Sequence, residues 1–266
     1  MRFTKMQGAG NDYVYLDCTR HIPSDLPALA RAISDRHFGV GSDGLICICT
    51  SNKADFQMRM FNADGSEGKM CGNGIRCVGK FVYDKGLTRK TELDIEALAG
   101  IKHLTLWVTG GEVTSVTVDM GTPQPEDART VTYQGKEYRG LPISMGNPHF
   151  VVPVSDVKEY NLSVFAPLSV PNPAFPDGAN VEIVEVLAPD RLLVRVWERG
   201  SGETLACGTG ACAALVASVL TGKVEREATV HLLGGDLSVR WDESTEHIFM
   251  TGPAVTVFEG EWPANP

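Results

Sequence analysis

Positive charge is in short supply here: 24 Lys and Arg stand against 33 Asp and Glu, a net charge of −9 over 266 residues. That balance argues against nucleic acid as a partner and against an anionic membrane surface, though a local site for an anionic small molecule remains compatible with it. No run of about twenty apolar residues is present to span a bilayer, and Met1 to Gly8 has no apolar leader core and reads as a strand. The seven cysteines are odd in number and follow no disulfide framework, which fits reduced thiols and a cytoplasmic protein. Low-complexity tracts and long charge blocks are missing as well. So are a Lys-centred Schiff-base motif and a nucleotide loop. No cofactor is therefore expected.

What the chain does have is a pair of matching loops, Cys71-Gly72-Asn73-Gly74 and Cys207-Gly208-Thr209-Gly210, 136 residues apart (207 − 71). The same offset lays Asn147 on Asn11, Arg195 on Arg59, Trp197 on Phe61, Glu198 on Asn62, Glu203 on Glu67 and Gly222 on Gly86. A repeat of that length is a domain rather than a solenoid unit. Strand-like alternation dominates both halves, as in Asp12–Asp17, Leu104–Val108, Val113–Val118, Leu192–Trp197 and Leu237–Trp241. Helical patterns are confined to Pro27–Arg36, Ile75–Lys85 and Ala211–Thr221. The expected fold class is α/β: two pseudo-symmetric domains, each a curved, mostly antiparallel sheet around a central helix. The expected division is residues 1–118 with a C-terminal strand at about 254–266, and residues 119–253, with Pro123–Arg129 as the linker candidate. Ala166–Gly178, with its four prolines, reads as a loop near the second site.

A cysteine just ahead of Gly-x-Gly and a helix can do two things. The free N–H groups of the first helical turn form an anion site suited to a carboxylate. Their partial positive charge also favours a thiolate, which predicts a lowered thiol pKa. Two such loops related by a pseudo-two-fold axis would place one sulfur on each face of an amino acid's α-carbon. A zinc site is disfavoured by geometry: on a helix Cys77 points about 120° away from Cys71, and Cys212 about 140° away from Cys207. No metal is expected. Cys18, Cys47 and Cys49 read as core residues.

Asn11, Asn62, Asn147 and Asn180 all lie in glycine-rich punctuation. Each is open to a turn reading, but an amide can also orient a zwitterion without adding charge. The coincidence of Asn11 with Asn147 favours the second reading for that pair. His149 and Glu198 have no identical counterparts, aligning with Tyr13 and Asn62. That asymmetry suits two thiols of which one must be ionised while the other is protonated.

Six segments bear a resemblance to a known family: Lys5–Asp12, Arg36–Gly44, Phe61–Glu67, Met70–Cys77, Ser144–His149 and Glu198–Ala211. The chain resembles the diaminopimelate epimerase family, cofactor-independent enzymes of lysine and peptidoglycan precursor biosynthesis. The resemblance implies epimerisation of LL-2,6-diaminopimelate to the meso form by a thiolate/thiol pair, in two similar domains that close on the ligand, and a homodimer. It implies that Cys71 and Cys207 are the acid/base thiols, tuned by His149 (with Cys71) and Glu198 (with Cys207). Asn11, Asn62, Asn147, Asn180 and Glu198–Arg199 resemble its substrate contacts, and the N–H groups of Gly72, Asn73, Gly208 and Thr209 would hold the carboxylate. Some members carry Gln where this chain has Gly44, so no side-chain contact is assigned there. The competing readings are a proline or hydroxyproline racemase and, from another class, a thiol redox or binding module.

Overall fold

The alternating strands of the sequence form β-sheet in both halves. The computed structural model describes residues 1–133 and 135–263. It divides into one unit of Met1–Val118 with Gly252–Pro266 and a second of Asp119–Thr251. Residues 264–266 of the expected C-terminal strand lie outside the described residues, and Gly252 and Pro253 go with the first unit rather than the second.

The repeat is visible in strand register. In the first unit, strand Asn11–Asp17 runs parallel to Gly44–Cys49 with Tyr13 opposite Gly44. In the second, Pro148–Pro153 runs parallel to Asn180–Ala188 with His149 opposite Asn180. The next pairings match too: Leu45 with Phe61 and Phe61 with Glu67, against Val181 with Trp197 and Trp197 with Glu203. Even the cross-hairpin ion pair is duplicated, Arg59 to Glu67 at 2.9 Å and Arg195 to Glu203 at 2.8 Å. These pairings mix parallel and antiparallel neighbours, with antiparallel hairpins the more numerous, as the alternation predicts.

Three α-helices complete the units: α1 (Leu26–Ser34), α2 (Gly72–Asp84) and α3 (Gly208–Leu220). Helices α2 and α3 are each 13 residues long and begin three residues earlier than their apolar patterns suggest. The reason is that Cys71 and Cys207 are themselves the N-caps, in extended conformation, so each Gly-x-Gly forms the first helical turn. Both helices end at left-handed glycines, Gly86 (φ 71°) and Gly222 (φ 69°). Residues 72–82 of α2 are all buried, as are nearly all of residues 208–218 of α3. A helix buried all round is what a sheet curved about it requires. Helix α1 instead packs one face, with Leu26, Ala30 and Ile33, onto Val14, Leu16, Leu45 and Phe61.

The linker candidate is not a linker. Gln124 and Pro125 form a two-residue strand paired with Ser144 and Ile143 of the second unit, where proline is tolerated because the pairing is short. Within Ala166–Gly178, the chain leaves a 3-10 helix (Leu162–Leu168) and closes on Asn172, whose side chain satisfies the carbonyls of Pro167, Leu168 and Val170.

Candidate active site

Each cysteine sits at a strand-to-helix turn as the N-cap of its helix, but the two surroundings differ. In the first unit the half-buried Cys71 thiol donates to Asn11 Oδ1 at 3.1 Å, and its sulfur accepts from Gly74 N–H at 3.3 Å. Asn11 is oriented by Asp43, whose Oδ2 takes the Asn11 Nδ2 proton at 2.6 Å and the Asp12 N–H at 3.2 Å. Asp43 is tied in turn to Arg36 at 2.9 Å, and Arg36 and Lys5 converge on Asp12 at 3.0 and 2.6 Å. Tyr13 hydrogen-bonds Cys71 and Asn11; burial first, then the neighbouring Cys71 and Asp43, push its hydroxyl well above the ordinary range. It therefore stays neutral. The Asn73 amide is turned into the protein, where Oδ1 accepts from Arg76 Nη1 at 3.0 Å, so only its backbone is suited to a ligand.

In the second unit Cys207 is buried and ringed by ionisable groups. Its sulfur lies 3.5 Å from Thr209 Oγ1, which in turn receives Asn147 Nδ2 at 3.4 Å. Glu198 hydrogen-bonds Cys207 and accepts from Thr204 Oγ1 at 2.5 Å. Burial raises the Glu198 pKa against those two hydrogen bonds, with the nearby Glu182 adding to the rise. His149 and Glu182 form a wholly buried pair, Nδ1 to Oε1 at 2.7 Å, with both side chains 0% exposed. Asn180 Oδ1 accepts the Arg199 N–H at 2.8 Å, and Arg199 itself reaches the Asp177 carbonyl at 2.8 Å.

The expectation that both thiols are made acidic by their helices fails for Cys207. Its pKa is pushed well above the ordinary thiol value, first by burial and then by the charges of Glu198 and Glu182, which outweigh the hydrogen bonds from Thr209 and Gly210. The first helical turn does face the thiol, but two carboxylates face it as well.

The structure thus gathers Cys71 with Asn11, and Cys207 with Glu198, Thr209 and Asn147. His149 is engaged by Glu182 rather than by a cysteine. Asn62 is held in its own turn through Ser66 Oγ at 2.9 Å. At Gly44 a Cβ would fall 2.1 Å from the Phe61 carbonyl oxygen, so no side chain of any kind fits. Sequence reasoning missed Asp43 and Glu182. Glu182 had a signal: it is a carboxylate in a strand of buried residues, at the repeat position that holds Ile46 in the first half.

Fold and site together define the class: a duplicated α/β protein with one cysteine-capped helix in each repeat. Solved structures share this fold, among them a phenazine biosynthesis protein of the PhzF family from Bacillus anthracis (TM-score 0.75, 20% identity, 99% of each chain). Another is a hydroxyproline epimerase from Agrobacterium vitis with bound trans-4-hydroxy-L-proline (TM-score 0.73, 16% identity, 98% of this chain and 91% of that one). Residues 3–125 and 142–257 match the sequence profile of diaminopimelate epimerase, and the chain belongs to the diaminopimelate epimerase family. It is 53% identical to the diaminopimelate epimerase of Acetivibrio thermocellus, over 100% of this chain and 99% of the relative. It is 52% identical to that of Methanococcus maripaludis, over 98% and 99%.

Proposed function

We propose that this protein is an isomerase that converts LL-2,6-diaminopimelate to the meso form, using Cys71 and Cys207 as the two proton carriers. The observation that carries the reading is the pair of cysteine N-caps at matched positions of the repeat, in a chain of this family. A thiolate takes the α-proton, and the electron pair left on carbon delocalises into the adjacent carboxylate. The other thiol delivers a proton from the opposite side of the carbon, and the two sulfurs exchange protonation states. Backbone N–H groups of Gly72, Asn73, Gly208 and Thr209 are the donors proposed for that carboxylate, where charge grows in the transition state. Glu198 is proposed to exchange the proton of Cys207, and Asn11 to orient that of Cys71. Asn62, Asn147, Asn180 and Arg199 are proposed to bind the rest of the zwitterion.

The family resemblance supports a homodimer as the working form, to be read by light scattering. Reduced thiols support a cytoplasmic location, which fractionation would test.

The activity test is proton NMR of reduced protein in D₂O with LL-diaminopimelate, and with L-proline in a parallel tube. Loss of the α-proton signal with appearance of the meso isomer is expected in the first tube only. Cys71→Ala and Cys207→Ala should each abolish inversion; near-normal turnover by either variant would refute the two-thiol scheme.

A further inference from the structure

The repeat leaves one exchange between the halves that the reaction above does not use. Ile46 and Glu182 occupy equivalent places (182 − 46 = 136), each beneath the last glycine of its Cys-Gly-x-Gly loop. A Cβ on Gly74 would fall 2.7 Å from Ile46 Cδ1, and a Cβ on Gly210 would fall 2.6 Å from Glu182 Oε1. The first turn of α2 therefore rests on a methyl group, and the first turn of α3 on a carboxylate.

We infer that Glu182 is a positioning residue that makes the two thiols unequal, holding Cys207 in its protonated form in the resting protein and fixing the ring of His149 beside it. A carboxylate against the start of α3 offsets the partial positive charge which would otherwise favour a thiolate there. In the first unit the equivalent place beneath the start of α2 is filled by Ile46, which carries no charge. Glu182 Oε1 also lies 2.7 Å from His149 Nδ1, a contact that fixes the orientation of the ring. Among the described residues, His149 Nε2 and Glu182 Oε2 have no hydrogen-bond partner, so the pair is aimed rather than saturated. The groups facing Cys207 are Glu198 from the hairpin strand Arg191–Glu198, Glu182 from the neighbouring strand, and Thr209 from α3; His149 contacts Glu182 and acts electrostatically on Glu198. Burial and the two carboxylates both act to retain the Cys207 proton.

The meaning of this inference rests on the epimerase reading, but its test does not measure turnover. Protein carrying carbon-13 at cysteine Cβ would be titrated by NMR, with the Cys207 signal assigned from a Cys207→Ser spectrum. In Glu182→Gln, which keeps the volume and an acceptor oxygen, the Cys207 midpoint should fall by about one pH unit or more, the size expected on removing a nearby like charge. The Cys71 profile should stay where it is. Glu182→Ile, which installs the side chain of the other repeat, is the second variant and should shift Cys207 in the same direction. A packing role alone would leave the midpoint unmoved, so identical Cys207 profiles in wild type and a folded variant would overturn the inference. If the shift appears in a protein that does not epimerise LL-diaminopimelate, the inference stands and the functional reading falls.

Discussion

Alanine at Gly74 and at Gly210 should act very differently, although the two glycines hold the same place in the repeat. On Gly74 the new methyl meets Ile46 Cδ1 at 2.7 Å, with the next nearest atoms, Cys71 Cβ at 3.4 Å and its sulfur at 3.5 Å, at ordinary contact distance. The end of an isoleucine can rotate to another staggered position at small cost. On Gly210 the methyl meets Glu182 Oε1 at 2.6 Å and Cys207 Cβ at 3.2 Å. That carboxylate cannot retreat without breaking its 2.7 Å contact to His149. Alanine brings up to about 1 kcal/mol of helix propensity at either site, and overpacking removes about 1–3 kcal/mol. Gly74→Ala should therefore come out near zero. Gly210→Ala also strains a buried hydrogen bond to a charged group, worth about 1.5–3 kcal/mol, so its net loss should be about 2–4 kcal/mol. Urea unfolding of both variants, with circular dichroism as the probe, measures the difference. Equal stability in the two would refute the placement of Glu182 beneath the start of α3.

Two further outcomes follow from the site. Glu198 has a raised pKa, so the stability it contributes is full below its ordinary value of 4.5 and is lost as pH rises through the folded-state value. Glu198→Gln should then melt at a higher temperature than wild type at pH 7 and at the same temperature near pH 4, while losing activity; a melting difference independent of pH would count against the buried charge among Cys207, Glu182 and His149. Asp43→Asn should let the Asn11 amide turn its NH₂ toward Cys71, lowering turnover about tenfold, equivalent to roughly 1.4 kcal/mol in the barrier. Unchanged turnover would show that Asp43 does not orient Asn11.

Much of this protein is decided by its sequence alone, because the relevant signals are local or repeat at a fixed offset. Gly-x-Gly after each cysteine, the left-handed glycines that end α2 and α3, and strand alternation all act over a few residues. The repeat then carries the register from one half to the other, down to the Arg59–Glu67 and Arg195–Glu203 ion pairs. Where local signals misled, a neighbour distant in sequence was responsible. Pro123–Arg129 has the composition of a linker, yet Gln124 and Pro125 find partners at Ile143 and Ser144. A helix N-terminus predicts an acidic thiol, and only the folded structure buries Cys207 and brings Glu198 and Glu182 to it, which reverses the sign. Likewise, nothing near Asn11 in sequence indicates that Asp43 orients its amide. The physical reason is one of range: backbone preference and side-chain periodicity are properties of adjacent residues. The charge state of a buried group depends on whatever the tertiary structure packs within a few ångströms of it, and that the tertiary structure decided.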